Sequence, residues 1–169
     1  MNKTIEFISR VAPVIAVLTA KGETNVVVGG SVALMAHGLS LYEPQDVDLI
    51  VYQPTERQLQ LLARDFGEAC AKVQAVPYSG HKVYKTKSMG VGVDVILEWE
   101  NQQPETMLYV HGFGWSFPVQ PIGVILDAKQ RYARIKDYVQ IRDLAKDNFL
   151  DRLDYLANKQ ELCDFISEL

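Results

Sequence analysis

The sequence predicts an α+β protein, in which helices flank a mixed β-sheet and a C-terminal helical segment follows. Three observations support this fold class. Residues 25–29, Asn-Val-Val-Val-Gly, form a β-branched run typical of a buried strand. Residues 91–97 alternate, with Val91, Val93, Val95 and Leu97 on one face. From Ile122 onward, apolar residues recur at helical spacing. We expect a core at residues 1–118 and a helical segment at residues 119–169.

The first half of the chain predicts helices alternating with strands. Apolar residues at helical spacing near the N-terminus predict a helix, and Pro13 should lie near its start or kink it. The strand at residues 25–29 should lead into a helix over Val32–His37, closed by Gly38. A second strand is expected at Asp46–Tyr52, followed by a helix that Pro54 and Thr55 open and that runs to about Phe66.

The second half predicts further strands and then helices. Pro77, Gly80 and Gly90 separate three strand-like segments, at residues 72–76, 82–86 and 91–97. Turns this short join the strands in hairpin fashion, which argues against a doubly wound parallel sheet. Helical periodicity then covers residues 122–135, 136–149 and 150–169.

Composition excludes several classes of protein. The net charge of −4 and the pI of about 5.4 argue against general DNA or RNA binding. The longest apolar stretch near the N-terminus is too short to span a membrane. Two cysteines without CxxC spacing, Cys70 and Cys163, fit a reducing compartment, so we expect a cytoplasmic protein without a membrane partner. The three histidines lack zinc-ligand spacing, and any metal should be a hard ion bound by carboxylates.

Three aspartates are candidate metal ligands. Asp46 and Asp48 are two residues apart at the start of a predicted strand, so their carboxylates share one face. Asp94 stands within an apolar strand, where a buried carboxylate is costly without a partner. If the two strands are neighbours, the three acids converge and could hold one or two Mg²⁺ or Mn²⁺ ions. The alternatives are a solvated turn or a cap for Asp46 and Asp48 and a solvent-facing strand surface for Asp94.

The segment Gly29-Gly30-Ser31 is a candidate phosphate site. Two glycines at the end of a strand let a ligand approach the backbone closely, and the next helix directs free N–H groups to the same point. The Ser31 hydroxyl adds a donor. A tight turn without a ligand is the alternative interpretation. Lys85 and Lys87 share one face of a later strand, where they could meet an anionic acceptor such as RNA or protect a solvated edge strand.

The order of these motifs resembles a known family. Gly-Gly-Ser, then an Ala-Leu-Met-Ala-His-Gly helix, then Asp46-Val47-Asp48 and Val93-Asp94-Val95, is similar to the nucleotidyltransferase superfamily with its polymerase-β-like fold. The short form resembles stand-alone bacterial proteins that include AbiEii-type toxins and aminoglycoside nucleotidyltransferases. The stretch from Leu126 to Leu144 resembles the helical lysine- and aspartate-containing pattern of those proteins, and the resemblance covers residues 26–144.

The resemblance implies a role for each matching residue. Gly29, Gly30 and Ser31 would cradle the triphosphate of an NTP substrate, and Asp46 and Asp48 would bind Mg²⁺. Asp94 would complete the metal site and help to deprotonate the acceptor. Lys129 or Lys136 would neutralise phosphate charge. The segment 41–45, just before Asp46, lacks the arginine that many relatives carry there.

The resemblance leaves the acceptor open, as a small molecule, an RNA or a protein. A toxin-like activity would imply a cognate antitoxin, and a homodimer is equally compatible. The rival to an enzyme is a non-catalytic module that keeps the fold to bind a nucleotide or a partner protein.

Overall fold

The computed structural model describes residues 2–39, 43–69 and 83–132, together with residues 137, 140, 141 and 143. The described helices are α1 (Lys3–Leu18), α2 (Gly30–Ala36), α3 (Glu56–Asp65) and α4 (Ile122–Tyr132). The described strands are β1 (Val26–Gly29), β2 (Asp46–Tyr52), β3 (Gly67–Ala69), β4 (Val83–Ser88), β5 (Val91–Glu98), β6 (Leu108–Gly112) and β7 (Trp115–Val119). Within these ranges, no helix is long and apolar enough to cross a membrane.

The described strands form one mixed sheet in the order β3-β4-β5-β2-β1-β7-β6. The β2–β5 and β1–β7 pairs are parallel and the other pairs are antiparallel, so the prediction of a mixed sheet in an α+β fold is confirmed. The strand predicted at residues 72–76 lies outside the described residues, as do Lys136 and most of the tail beyond Tyr132.

All four described helices contribute to one core on a single face of the sheet. Alternate residues of β1, β2 and β5 point into this core, among them Val28, Leu49 and Val95. The helix α4 adds Ile122, Ile125 and Leu126 to the same cluster. The predicted packing of the whole segment 119–169 onto the core stays a prediction, because most residues beyond Tyr132 lie outside the described residues. Near the other face, a small cluster of Val27, Ile50 and Tyr52 is buried. We call this second side of the sheet, which lies opposite the four described helices, the open face.

Local sequence explains where the helices begin. The Asn2 side chain accepts a hydrogen bond from the Thr4 N–H at 2.8 Å and caps α1. At α3, Thr55 and Gln58 form a capping box, which satisfies two of the N–H groups that a helix start leaves open. Pro13 lies inside α1 rather than near its start, where it removes one backbone donor from the helix.

A two-residue turn joins β4 to β5. Ser88 pairs with Val91, and the central residues Met89 and Gly90 have φ values of 49° and 78°. Positive φ at both central positions is the geometry of a type I′ hairpin turn, whose twist matches that of the strands it joins. This turn sets the register between β4 and β5, and therefore which side chains meet across them.

Candidate active site

Four positions line up across the sheet on its open face. Gly29 of β1 pairs with Asp48 of β2, Asp48 pairs with Asp94 of β5, and Asp94 pairs with Lys85 of β4. Residues that pair in register point to the same face of a sheet, so the Asp48 and Asp94 side chains are neighbours. The whole row spans three strand spacings of about 4.8 Å, or about 14 Å.

A second, shorter row lies one pleat away. Asp46 pairs with Gly92, and Gly92 pairs with Lys87. The Asp46 carboxylate extends over Gly92, where a Cβ atom would collide with its Oδ1. The missing side chain of Gly92 therefore leaves room for Asp46 to reach across β5 towards β4. Both rows include an aspartate on β2 and end at a lysine on β4.

The two central carboxylates turn away from each other. The Asp48 carboxylate lies against Gly30, so a Cβ there would collide with it. Asp94 Oδ1 lies 3.5 Å from Lys85 Nζ, on the opposite side of the row. The Asp94 side chain is 24% exposed and that of Lys85 is 61% exposed. Like charges on neighbouring strands repel, and each acid here is directed at a different neighbour.

The orientations of the Asp48 and Asp94 carboxylates do not form the predicted metal site as they stand. Among the described residues, no group of three or more His, Cys, Asp and Glu side chains is arranged to hold a metal ion. The donor chemistry nevertheless fits Mg²⁺, because three carboxylates stand at neighbouring positions of one face and supply hard oxygen ligands. Bringing them together requires side-chain rotation at Asp46, Asp48 and Asp94 without any change of strand register. Their roles as metal ligands stay a prediction.

The glycines at the end of β1 have structural partners. Gly29 is the N-cap of α2 and makes no side-chain cap bond, and α2 begins directly at Gly30. The space above Gly29 holds the Gln120 side chain, whose Oε1 lies 2.6 Å from where a Cβ would stand. Gly30 has a φ of 62°, a left-handed conformation that favours glycine. Gln120 and Asp48 therefore explain both glycines without a ligand, while the half-buried Ser31 follows as the first side chain of α2 that could donate to one.

A buried polar network beside Gly29 was missed by the sequence analysis. The Gln120 backbone N–H donates to Val28 O at 2.9 Å, and its side-chain Nε2 donates to the Tyr52 hydroxyl at 3.0 Å. His37, the C-cap of α2, has its Nε2 2.8 Å from Gln120 O. Burial raises the pKa of the Tyr52 phenol, the Gln120 hydrogen bond lowers it, and the negative charge of Glu98 raises it. A single glutamine after a strand carries no motif, so no sequence signal marked this position.

Lys129 is buried within the C-terminal helical segment. Its ammonium donates to Gln140 Oε1 at 2.6 Å and lies 3.8 Å from Asp137 Oδ1. The side chains of Lys129 and Asp137 are 9% and 0% exposed, respectively. A buried ion pair of this kind is costly to break on one side. The prediction that Lys129 contacts phosphate stays untested, and Lys136 lies outside the described residues.

A cavity of about 530 Å³ lies at the opposite end of β2 from Asp46. Its lining is mainly amide and hydroxyl side chains around Asn25, Tyr52 and Gln53. The carboxylate row is not part of its lining. The cavity therefore does not mark the candidate site, which lies on the open face.

No protein-family model matches the chain, and no curated protein matches it. Two solved structures have a similar overall chain path: JHP933 from Helicobacter pylori and a protein from H. pylori described as “putative nucleotidyltransferase”. Each is 12% identical to this chain with a TM-score of 0.42, and each match covers 96% of this chain. The matches cover 89% of the first protein and 92% of the second. A likeness at this TM-score carries no argument about function.

Proposed function

We propose that the chain is a Mg²⁺-dependent nucleotidyltransferase, which moves a nucleoside monophosphate from an NTP to a hydroxyl group. The observation that carries the proposal is the register of β2 and β5. Asp48 and Asp94 come from segments far apart in sequence and stand side by side on the face opposite the four described helices. Gly30 and Ser31 begin the next helix directly beside Asp48. The carboxylates thus lie beside a backbone segment without bulky side chains, and Mg²⁺ is commonly held by one or two carboxylates together with substrate phosphates.

The proposed roles follow from this arrangement. Asp46 and Asp48 supply oxygen ligands for Mg²⁺, and Asp94 supplies a third. Bound Mg²⁺ would neutralise triphosphate charge and polarise the transferred phosphorus. The Gly30 backbone and the Ser31 hydroxyl donate hydrogen bonds to phosphate oxygens. The contribution of Lys129 to phosphate neutralisation stays a prediction, since its ammonium already has Gln140 and Asp137 as neighbours.

The transfer step is a displacement at the α-phosphorus. The acceptor hydroxyl oxygen forms the new P–O bond while the bond from the α-phosphorus to the bridging oxygen breaks. Pyrophosphate leaves with that electron pair, and the hydroxyl proton passes to the Asp94 carboxylate. A carboxylate that accepts this proton must lie within hydrogen-bond distance of the hydroxyl. Asp94 suits this role because it is the acid of the row farthest from Gly30, where the triphosphate is proposed to bind.

Thermal unfolding with nucleotide and metal tests the binding part of the proposal. The protein should gain stability with ATP or CTP only when Mg²⁺ is also present. At a ligand concentration about 100 times Kd, the expected gain is about 2.7 kcal/mol. Asp48→Asn should lose this gain, whereas Asp65→Asn, which removes an exposed carboxylate at the end of α3, should keep it.

Radiolabelled NTPs and a cell extract test the transfer. Label in one molecular class, absent with Asp48→Asn, would identify the acceptor class. Stabilisation by nucleotide without any labelled product would favour the non-catalytic binding module. Equal stabilisation of wild type and Asp48→Asn would contradict both versions of the site.

A further inference from the structure

Two lysines of β4 end the carboxylate rows on the open face. Lys85 pairs with Asp94, and Lys87 pairs with Gly92, over which Asp46 extends. Both lysines are exposed, while Val83, which shares their face, is buried. The positive charge is therefore concentrated at the same end of the strands as the acids.

Protection of a sheet edge does not explain Lys85. A lysine commonly protects an edge strand from pairing with another chain. Here β3 pairs with β4 over Val83–Lys85, so Lys85 lies on a strand that is already covered. The sequence-based alternative of an edge strand at Lys85 is therefore wrong, and its ammonium is instead directed at Asp94.

The order of the row separates two ends of the candidate site. Gly29 and Gly30 stand at one end and Lys85 at the other, about 14 Å away, with Asp48 and Asp94 between them. Given the proposed function, the triphosphate belongs at the glycine end. The acceptor must then approach Asp94 from the side of β4, where Lys85 and Lys87 are the nearest cations of the two rows.

The net charge of this surface depends on whether a metal ion is bound to the carboxylates. Three carboxylates face two ammonium groups, so the surface of the two rows is net negative on its own. With Mg²⁺ bound to the carboxylates, the same surface becomes net positive. Lys85 would then lose Asp94 as its partner and become available to another anion.

We propose that Lys85 and Lys87 bind a phosphate group of the acceptor, so the acceptor is a phosphorylated molecule with a free hydroxyl. This inference rests on the proposed nucleotidyltransferase function. A sugar phosphate and the terminal nucleotides of an RNA share this chemistry. Two lysines about 7 Å apart along a strand suit one or two phosphates. They do not make a surface that tracks a long nucleic acid, in agreement with the net charge of −4.

Binding of two probes, ribose 5-phosphate and a fluorescent single-stranded tetraribonucleotide, tests the inference. Both are titrated with and without Mg²⁺ and a non-hydrolysable ATP analogue. Lys85→Gln and Lys87→Gln should each weaken binding of the recognised probe about three- to fivefold, the upper part of the range for an exposed ion pair. For the RNA probe, the slope of log affinity against log salt should fall by about 0.7 for each lysine removed. Lys21→Gln, which removes an exposed lysine from the loop between α1 and β1, is the matched control and should change nothing.

A second readout needs no acceptor. Lys85→Gln should bind Mn²⁺ a few-fold more tightly in the absence of nucleotide, because the ammonium that competes for Asp94 is gone. Electron paramagnetic resonance of free Mn²⁺ measures this directly. Neither Lys85→Gln nor Lys87→Gln should weaken binding of the Mg²⁺–ATP analogue by more than about twofold.

The outcomes separate the inference from the function on which it rests. If wild type fails to bind Mn²⁺ and the Mg²⁺–nucleotide, the proposed function is wrong. If it binds them but neither probe, or if Lys21→Gln weakens a probe as much as Lys85→Gln does, the inference is overturned. Binding of ribose 5-phosphate alone would support a sugar-phosphate acceptor, and binding of the tetraribonucleotide alone would support an RNA end.

Discussion

Asp48→Asn should stabilise the metal-free protein. Asp48 and Asp94 are register partners on parallel strands, so their backbones are about 4.8 Å apart. Because the two carboxylates turn away from each other, we take their charges as about 8 Å apart, for which Coulomb's law gives about 0.5 kcal/mol in water and about 2 kcal/mol at an effective dielectric constant of about 20. Asp94 is partly exposed and Lys85 offsets part of its charge. We therefore expect Asp48→Asn to raise the free energy of unfolding by about 1 kcal/mol, or Tm by about 2–4 °C.

Urea denaturation in chelator-treated, low-salt buffer measures this gain. Asparagine keeps the size and an acceptor oxygen of Asp48, so the change is mainly in charge. The gain should shrink in about 1 M NaCl, where the screening length is only about 3 Å. Asp46→Asn is the comparison variant, because its register partner is Gly92 and its carboxylate neighbour Asp48 lies two residues along the same strand, about 7 Å away, so its gain should be smaller. If Asp48→Asn leaves stability unchanged or lowers it while Asp46→Asn behaves the same way, the two central carboxylates do not repel each other and the reasoning fails.

Two further predictions concern the buried polar groups. Tyr52→Phe removes the hydroxyl that accepts from Gln120 and should cost about 1–2 kcal/mol in urea unfolding at pH 8. Burial raises the pKa of Tyr52 in the folded state above its ordinary value of 10.0, so its contribution to stability is complete below pH 10 and falls as pH rises further. Tyr52→Phe should lack that part of the decline above about pH 10, and an identical pH dependence in both proteins would contradict the assignment. Lys129→Met removes the ammonium next to the fully buried Asp137 and should cost about 3–5 kcal/mol, most of which Lys129→Met with Asp137→Leu should recover. A loss below about 1 kcal/mol, together with weaker nucleotide binding, would instead assign Lys129 to the phosphate.

The strands that carry the acids could be predicted from sequence. The strand at Asp46–Tyr52 has the predicted bounds, and β5 extends the predicted one by a single residue, to Glu98. Their apolar residues alternate or run together, and turn-forming residues bound them. The shared face of Asp46 and Asp48 follows from the period of two that any strand has.

Strands β6 and β7 were not predicted. The residues of β6 are half-buried or exposed, which gives its sequence no clear alternation. Pro118 interrupts β7, and proline within a run is evidence against a strand. Their place in the sheet depends on the parallel pairing of Val28 with Val119, a long-range contact that no local pattern encodes.

Of the two register partners of Asp94, Lys85 could have been predicted from the sequence and Asp48 could not. A two-residue turn at Met89 and Gly90 implies that Lys85 stands opposite Asp94, so that contact was available from turn chemistry. The pairing of Asp94 with Asp48 depends instead on β5 lying beside β2, which is a property of strand order. From the sequence, the approach of the two acids could be stated only on the condition that their strands are neighbours.

The alternation within β5 separates two kinds of constraint along eight consecutive residues. Val93 and Val95 pack in the core that the helices share, so substitutions there should reduce the amount of folded protein. Asp94 faces the other side of the sheet, so substitutions there should alter ligand binding or catalysis in a protein that still folds. A complete substitution scan of this strand would give two interleaved sets of phenotypes, and selection could reshape ligand preference in one set while leaving the other untouched.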